Sequence, residues 1–506
     1  MRISAVPPVI SYLQIDRKGS GKEMMIFKNK VLIIGFGSVA SCALPLLLKH
    51  IKIPYKNITV IDFADKYKTL APWVRRGITY SREKITPINM VQVLASHVSS
   101  GGLIIDLAWN IDCLDILRWC HDNKVFYINT SVEEWDPYAN IHTKTPFQKS
   151  LYYKQMEIRN MISKWAEGST TAVIDHGANP GLISHFTKKG LIDIAEKSLE
   201  DNMSGKRHRR ALQIYLKDNK FANLARELGV KVIHISERDT QIANVPKKVN
   251  EFVGTWSIYG LLEEGIAPSE IGWGTHEAEI GLPATLPPYG PKNQIFISQM
   301  GMNTWVRSWI PHEEIVGMVI RHAEAFSISD DLTVWDKGKV LYRPTVHYAY
   351  MPCDDTVASL HELRCRNYQL QNKIRIMRDE IVGGEDILGA LMMGHRYNSW
   401  WTGSVLSIED SRKAVPHQNA TTTQVAIGVV SGTMWMLENP GEGVRVPDDL
   451  PYDYILNVAR PYLGKFVSVQ SDWTPFKNYQ VFFKENPAAF LDRKNQWSFK
   501  NFLFKG

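Results

Sequence analysis

The sequence predicts an α/β fold: an N-terminal Rossmann-type, doubly wound parallel sheet, plus a larger α+β domain. Three observations carry this. A short apolar run at Val31–Ile34 leads straight into a glycine turn and an apolar helix. Strand-like and helix-like segments then alternate up to about Pro180. Beyond about Leu182, helical segments alternate with longer strands and with Pro/Gly-rich turns such as LPATLPPYGPKN (Leu282–Asn293). With 506 residues the chain is too long for one ordinary core, so two or more domains are expected.

The first element is KVLIIGFGSVASCALPLLL. Val31–Ile34 reads as a buried parallel strand, and Gly35, Gly37 and Ala40 make GxGxxA. Gly35 permits the tight turn, Gly37 lets a pyrophosphate approach the backbone, and Ala40 lets helix and strand pack closely. The helix N-terminus offers free N–H groups and a positive dipole end to phosphates. GxGxxA alone is a weak signal. It gains weight from the second strand, ITVIDF, which ends near Asp62, a plausible ribose-binding acid. Asp62 would repel a 2′-phosphate, so NAD is favoured over NADP.

Further along, GLIIDLAW (Gly102–Trp109) and KVFYINTS (Lys124–Ser131) read as strands, with an amphipathic helix, LDILRWCHDN, between them. Ligands of doubly wound sheets sit beyond the carboxyl ends of the strands. Those ends carry Asp106 and Asn110, then Asn129, Thr130, Glu133 and Glu134. Asn129 and Thr130 are assigned to the cofactor and Glu133 to the substrate. A last strand, TTAVIDHG, runs into ANPGLIS, where Asn179-Pro180-Gly181 brings a carboxamide to a strand end; a helix entry with Pro180 in the first turn is the plain reading, and both can hold together.

The second half offers scattered polar candidates. VKVIHISERDTQ is a strand with Glu237 at its end. MVIRHAEAFSIS places His322 and Glu324 two apart, on one face of a strand. EIVGGEDILGALMMG presents Asp386 at a helix start, where an N-cap or first-turn acid is the plain reading. GTWSIYGLLEEG, read as one helix, puts Trp256 on the same side as Glu263 and Glu264. A tryptophan face beside a carboxylate could grip a cation, or could be a core anchor and a solvated edge.

Composition excludes several classes. Hydrophobic residues make up 44% and charged residues 22%, as in soluble globular chains. The cysteines are five and form no CxxC, so neither a disulfide framework nor a zinc site is expected, and a cytoplasmic, reducing setting is. The apolar run Ser38–Leu48 is too short to span a bilayer and contains Pro45. Pro7-Pro8 and Asp16 interrupt what Arg2 begins, so no signal peptide is read. The net charge of +7 is modest, and the one basic cluster, KRHRR at Lys206–Arg210 after Ser204-Gly205, reads as a solvated loop. Its aromatic residues do not gather beside it, so nucleic acid is not an expected partner.

Taken together, IGFGS, VIDF, YINTSVEEW, GANPG, HISERDTQ, TWS, EGIAPSEIGWGT, NTWVRSW, LYRPTVHYAYMPCDD, SLHE, QNATTTQV, ENP, PYLG and SDWTP keep one order over nearly the whole chain after about Ile26. This set resembles the bacterial-type homospermidine synthases, in the saccharopine-dehydrogenase-like superfamily. The resemblance implies two putrescines joined to homospermidine with loss of ammonia, NAD held like a prosthetic group, and a homodimer. It implies that Trp256 offers a cation–π face, that Glu264 rather than Glu263 is a substrate acid, that Glu237 lies near the entrance, and that His322 with Glu324 lies at the inner end. Asn179 and Asp386 match further substrate positions. The family carries an acid where this chain has Asn110. Among His322, Glu264 and Glu324 the sequence does not rank the proton carrier.

The resemblance also implies boundaries: an NAD-binding domain over 27–180 with a returning segment around 410–440, and a substrate and dimerisation domain over 181–409 and 441–506. Two other readings stay open. A saccharopine-dehydrogenase-like reductase, such as a carboxyspermidine dehydrogenase, would need an arginine for its substrate carboxylate, with Arg307 and Arg343 the candidates. A non-enzymatic NAD sensor would keep Gly35, Gly37 and Asp62 without needing Trp256, Glu264, His322 and Glu324 together.

Overall fold

The structure is a computed structural model, which describes residues 13–15, 24–139, 143–166, 168–201, 205–280, 282–477 and 491–504. Arg2, Pro7, Pro8 and Asp16, and Ser204 before the basic cluster, lie outside the described residues.

The first half forms a seven-stranded sheet. Its first six strands in chain order are β1 (Val31–Ile34), β2 (Ile58–Asp62), β3 (Thr79–Arg82), β4 (Leu103–Asp106), β5 (Phe126–Asn129) and β6 (Ala172–Val173). All pair in parallel, with β1 between β2 and β4. Each of the runs read as GLIIDLAW and KVFYINTS contributes only four residues to the sheet. Val31 and Ile33 join one core, and Leu32 and Ile34 the other, so β1 is buried on both faces and reads as a continuous apolar run. Helix α1 (Ser38–His50) covers the first face and α2 (Cys113–Asn123) the second.

After α3 (Leu151–Ile162) and β6, the chain leaves through α4 (Leu182–Glu200). Pro180 is not in a helical first turn. It follows Asn179 through a cis bond, and Gly181, at φ 130°, caps α4. The basic cluster is not a loop either. Lys206–Arg210 opens α5 (Lys206–Lys217), whose Leu212 is buried while His208 bonds Glu227 at 2.7 Å and Arg209 bonds the Leu199 carbonyl at 2.7 Å. The charged residues fill the outer face of an amphipathic helix, which a run of like charges conceals.

The second domain is built on a ten-stranded mixed sheet. Its main strands are β7 (Val232–Asp239), β8 (Pro268–Gly272), β9 (Gln294–Met300), β10 (Glu313–Met318), β11 (Thr345–Met351), β12 (Glu385–His395) and β13 (Asn398–Ser407). Strand β7 lies between β11, which runs parallel to it, and β12, which runs antiparallel. Helices α6 (Ile258–Ile266) and α7 (Glu324–Asp331) stand beside this sheet.

Helix α8 (Ala420–Glu438) then returns to the first domain and packs on α1 through Ala426, Val429 and Val430. Strand β14 (Val444–Arg445) follows and adds to the first sheet beside β6, and β15 (Lys465–Ser471) closes the second sheet beside β13. Among the described residues no helix is long and apolar enough to cross a membrane.

Three local readings are corrected. His322 and Glu324 do not share a strand: β10 ends at Met318, and Glu324 opens α7. Ala325, Ile328, Ser329 and Leu332 are buried at helical spacing, and this pattern overrides the apparent alternation in HAEAFSIS. Asp386 is not at a helix start but in β12, whose apolar residues are buried on both faces and so lose the period of two. Trp256 precedes its helix. Ser257 is the N-cap, accepting from the Gly260 N–H at 3.2 Å, and α6 begins at Ile258.

Candidate active site

Two groups of residues carry the candidate site. The first is the turn after β1. Gly35 adopts φ 80°, and a Cβ there would meet the Leu107 carbonyl oxygen at 2.8 Å, so only glycine fits. A Cβ on Gly37 would meet nothing within 4 Å, leaving open space at the N-cap of α1. Ala40 is buried against the sheet. Asp62 ends β2, and its two oxygens accept from the Phe36 N–H at 2.7 Å and the Ala64 N–H at 2.8 Å. These bonds aim the carboxylate at the turn and leave lone pairs free. A glycine cradle, an open helix N-terminus and a fixed acid fit a dinucleotide's pyrophosphate and ribose.

Asn129 lies at the end of β5 with its carboxamide engaged inside the fold. Oδ1 accepts from the Asp175 N–H at 2.8 Å, and Nδ2 donates to the Tyr127 hydroxyl at 3.1 Å. Thr130 follows it, half-buried, beside Gly177. Asp106 accepts from the Tyr127 hydroxyl, and burial pushes its pKa up to about 7. Asn110 adopts φ 59°, with its side-chain oxygen buried and unpartnered.

The second group is a wall of acids on one face of the second sheet. The register pairs Glu237 with Tyr350 and Asp239 with Asp386, which brings all four side chains, and Tyr348, to the same face. Burial raises the pKa of Glu237 to about 7, with neighbouring Asp239 adding to it and the Tyr348 hydroxyl opposing. Tyr348 donates to Glu237 Oε2, and Asn179 Nδ2 donates to the same oxygen at 2.9 Å. Asp386 is fully buried, with neither oxygen in a hydrogen bond of normal geometry; burial, then Glu237 and Asp239, hold its carboxyl well above the usual range.

Helices α6 and α7 supply the other wall. His322 Nε2 bonds Glu264 Oε2 at 2.9 Å, and Nδ1 bonds Glu324 Oε1 at 3.1 Å. Burial opposes charge on the ring, but Glu264 and Glu324 outweigh it and hold His322 well above the ordinary histidine range. Burial also raises Glu264, against the pull of His322. Glu324 is fully buried with Oε2 unpartnered.

The two walls join through rings. His322 lies 4.4 Å from Tyr348 between centroids, and Tyr348 stacks on Tyr350 at 5.3 Å. Trp256 donates its indole N–H to the Tyr350 hydroxyl at 3.0 Å and lies over Gly260, where a Cβ would meet the ring at 3.1 Å.

Thus Trp256, Glu264, His322, Glu324, Glu237, Asn179 and Asp386 belong to one network. Glu133 makes a contact of its own: it accepts from the Ser131 hydroxyl at 2.7 Å, and burial with Glu263 raises its pKa to about 7, against Lys154. Glu263 is paired with Arg321 and so is held apart from His322. Tyr348, Tyr350, Asp239 and Asp175 were not singled out from sequence. A period of two in SERD and in TVHYAYM would have put Asp239 beside Glu237 and Tyr348 with Tyr350. Asp175, buried, with Oδ1 unpartnered and its pKa raised to about 7 by burial and Glu324, lies just past the carboxyl end of β6, the same signal that marked Asp106 and Asn129.

The two arginines of the reductase reading face elsewhere. Arg307 forks onto Glu314 at 2.7 and 2.9 Å, and Arg343 donates to Thr333 and to the carbonyls of Pro291 and Lys292.

A dinucleotide cradle together with a buried cluster of acids and aromatic rings defines a dinucleotide-dependent enzyme for a cationic substrate. The saccharopine dehydrogenase NADP binding domain family matches residues 31–173, and the saccharopine dehydrogenase C-terminal domain family matches residues 177–471. The homospermidine synthase of Blastochloris viridis is 38% identical over 481 residues, covering 94% of this chain and 97% of the relative. That of Mesorhizobium japonicum is 37% identical over 483 residues, covering 94% and 96%. The crystal structure of the homospermidine synthase from Legionella pneumophila in complex with NAD superimposes with a TM-score of 0.84, at 36% identity over 95% of this chain and 99% of that one. The chain belongs to the homospermidine synthase family.

Proposed function

We propose that this enzyme joins two putrescines into sym-homospermidine with release of ammonia, using NAD that is reduced and reoxidised within each turnover. The observation that carries the reading is the set of buried carboxyl groups with unpartnered oxygens, Asp386 and Glu324 with Asp175, next to a dinucleotide cradle. Buried acids without partners are costly, and a dication offsets that cost through charge-assisted hydrogen bonds.

Gly35, Gly37 and Ala40 form the pyrophosphate turn, Asp62 takes the ribose, and Asn129 and Thr130 shape the strand ends beneath the nicotinamide. Bound there, NAD supplies a hydride acceptor that later returns the hydride. The chain's own residues do the rest. Glu237, steadied by Asn179 and Tyr348, and Asp386 hold one ammonium of the diamine, and Glu133 guides it from outside. At the other end the amine must lose a proton before its C–H bond can yield hydride. Both ring nitrogens of His322 are engaged by Glu264 and Glu324, so neither is free to take that proton. Glu264 accepts the proton, and His322, fixed from behind by Glu324, tunes Glu264 and shields the charge. The resulting iminium loses ammonia when the second putrescine's amine attacks, and Trp256 covers the cationic carbon with its π face, worth roughly 0.5–2 kcal/mol. A homodimer in the cytoplasm completes the proposal.

The test is incubation with putrescine and a catalytic amount of NAD, with products identified by mass. Homospermidine in excess of NAD, without NADH build-up, is expected. NADH formed in proportion to product would make the protein a simple amine dehydrogenase.

A further inference from the structure

Arg378 belongs to the second domain, yet its guanidinium crosses to the first turns of α1. Nη2 donates to the Ser41 hydroxyl and to Gln418 Oε1 at 3.2 Å. Both acceptors are neutral, and Nε is buried without a hydrogen-bond partner. Ser41 lies one turn beyond Gly37 on the same side of the helix, and Gly37 is where the cradle is open. A cation at this end of a helix opposes the macrodipole, which puts about half a positive charge there. The arrangement is relieved when an anion lies between the guanidinium and the helix end, and a pyrophosphate is such an anion.

We propose that Arg378 is a phosphate-binding residue delivered by the second domain, which closes over the pyrophosphate of a dinucleotide held at Gly35–Gly37. The inference rests on the NAD reading above. It also links cofactor binding to the substrate site. Asn419, the N-cap of α8, donates through Nδ2 to the Met377 carbonyl at 2.9 Å and to the Thr255 carbonyl at 2.7 Å. These are the residues immediately before Arg378 and Trp256. One carboxamide therefore sets the backbone from which both the phosphate clamp and the cation-gripping ring project.

The experiment compares ADP-ribose, which carries the pyrophosphate, with adenosine, which lacks it. Each is titrated by calorimetry into the unmodified protein, Arg378→Gln and Arg378→Lys, with thermal melts in parallel. Losing a charged hydrogen-bond pair should weaken ADP-ribose about tenfold or more in Arg378→Gln. Adenosine should change less than twofold, Arg378→Lys should recover part of the loss, and the salt dependence of ADP-ribose binding should become shallower in Arg378→Gln. Equal losses for both ligands would make Arg378 an interdomain strut, and no loss for either would leave it outside the site. Either result overturns the inference while the NAD reading stands. An unmodified protein that binds no ADP-ribose would overturn the NAD reading and the inference with it.

Discussion

Trp256 is held edge-on by Tyr350: the indole N–H donates to the phenol oxygen at 3.0 Å, while Tyr350 stacks on Tyr348, whose hydroxyl reaches Glu237. The tryptophan's polar edge is fixed to the same wall that carries the acids, which sets the orientation of its ring.

From this follows the behaviour of a Trp256 series. Trp256→Phe should retain part of the activity, because a weaker quadrupole remains, and Trp256→Ala should lose nearly all of it. Trp256 is only half-buried, so neither change should approach the roughly 3–5 kcal/mol cost of emptying a fully buried tryptophan site. Tyr350→Phe removes one hydrogen bond and should lower kcat/KM by about tenfold or less. Activity and Tm measured across the series decide the matter; losses that track Tm would make Trp256 a core anchor.

Asp386→Asn should change apo stability and substrate binding in opposite directions. The carboxyl faces Glu237 and Asp239, which oppose its ionisation, and neither oxygen has a hydrogen bond of normal geometry, so an isostere whose amide can donate to those acids should raise the Tm of the ligand-free protein. The same change should raise KM for putrescine by about ten- to a hundredfold, as expected for one charge-assisted bond of about 1.5–3 kcal/mol. A fall in apo Tm with unchanged KM would remove Asp386 from the substrate site.

Diamine binding should release protons near neutral pH. Glu237 and Glu133 are each raised to about 7 in the folded protein, above their unfolded values, so the stability they lend is present in acid and lost as pH rises through about 7. A dication favours the ionised forms. Affinity for putrescine should therefore rise as pH climbs from about 6 to 8, with proton release visible as a buffer-dependent binding enthalpy. Buried His176, His347 and His395, lowered to about 4, give a slope of opposite sign, stability falling as pH drops from 6.5 toward 4. Comparison with Glu237→Gln isolates the carboxylate part. Pairwise identical enthalpies in phosphate and Tris would contradict the linkage.

Cofactor choice should depend on the charge of Asp62. Asp62→Asn keeps an acceptor for the Phe36 N–H but removes the charge that repels a 2′-phosphate. NAD should bind far more tightly than NADP in the unmodified protein, and the ratio should shrink in the variant, as read by competitive titration. Equal affinity for both cofactors in the unmodified protein would count against the ribose assignment.

What the sequence by itself determined is local. Val31–Ile34, Gly35, Gly37, Ala40 and Asp62 were legible because a buried strand, a tight turn at φ 80° and a helix start are each dictated by neighbours a few residues away. Glu237 at a strand end was legible for the same reason. The Glu264–His322–Glu324 bridge and the facing of Asp386 on Asp239 were decided only by tertiary structure. The first joins α6 to the start of α7, and the second is set by the register of β7 against β12. Local pattern even pointed the wrong way at these places, toward a strand for His322 and Glu324 and a helix for Asp386. Burial on both sides erased the periodicity that distinguishes the two, and only packing against distant elements restored the choice.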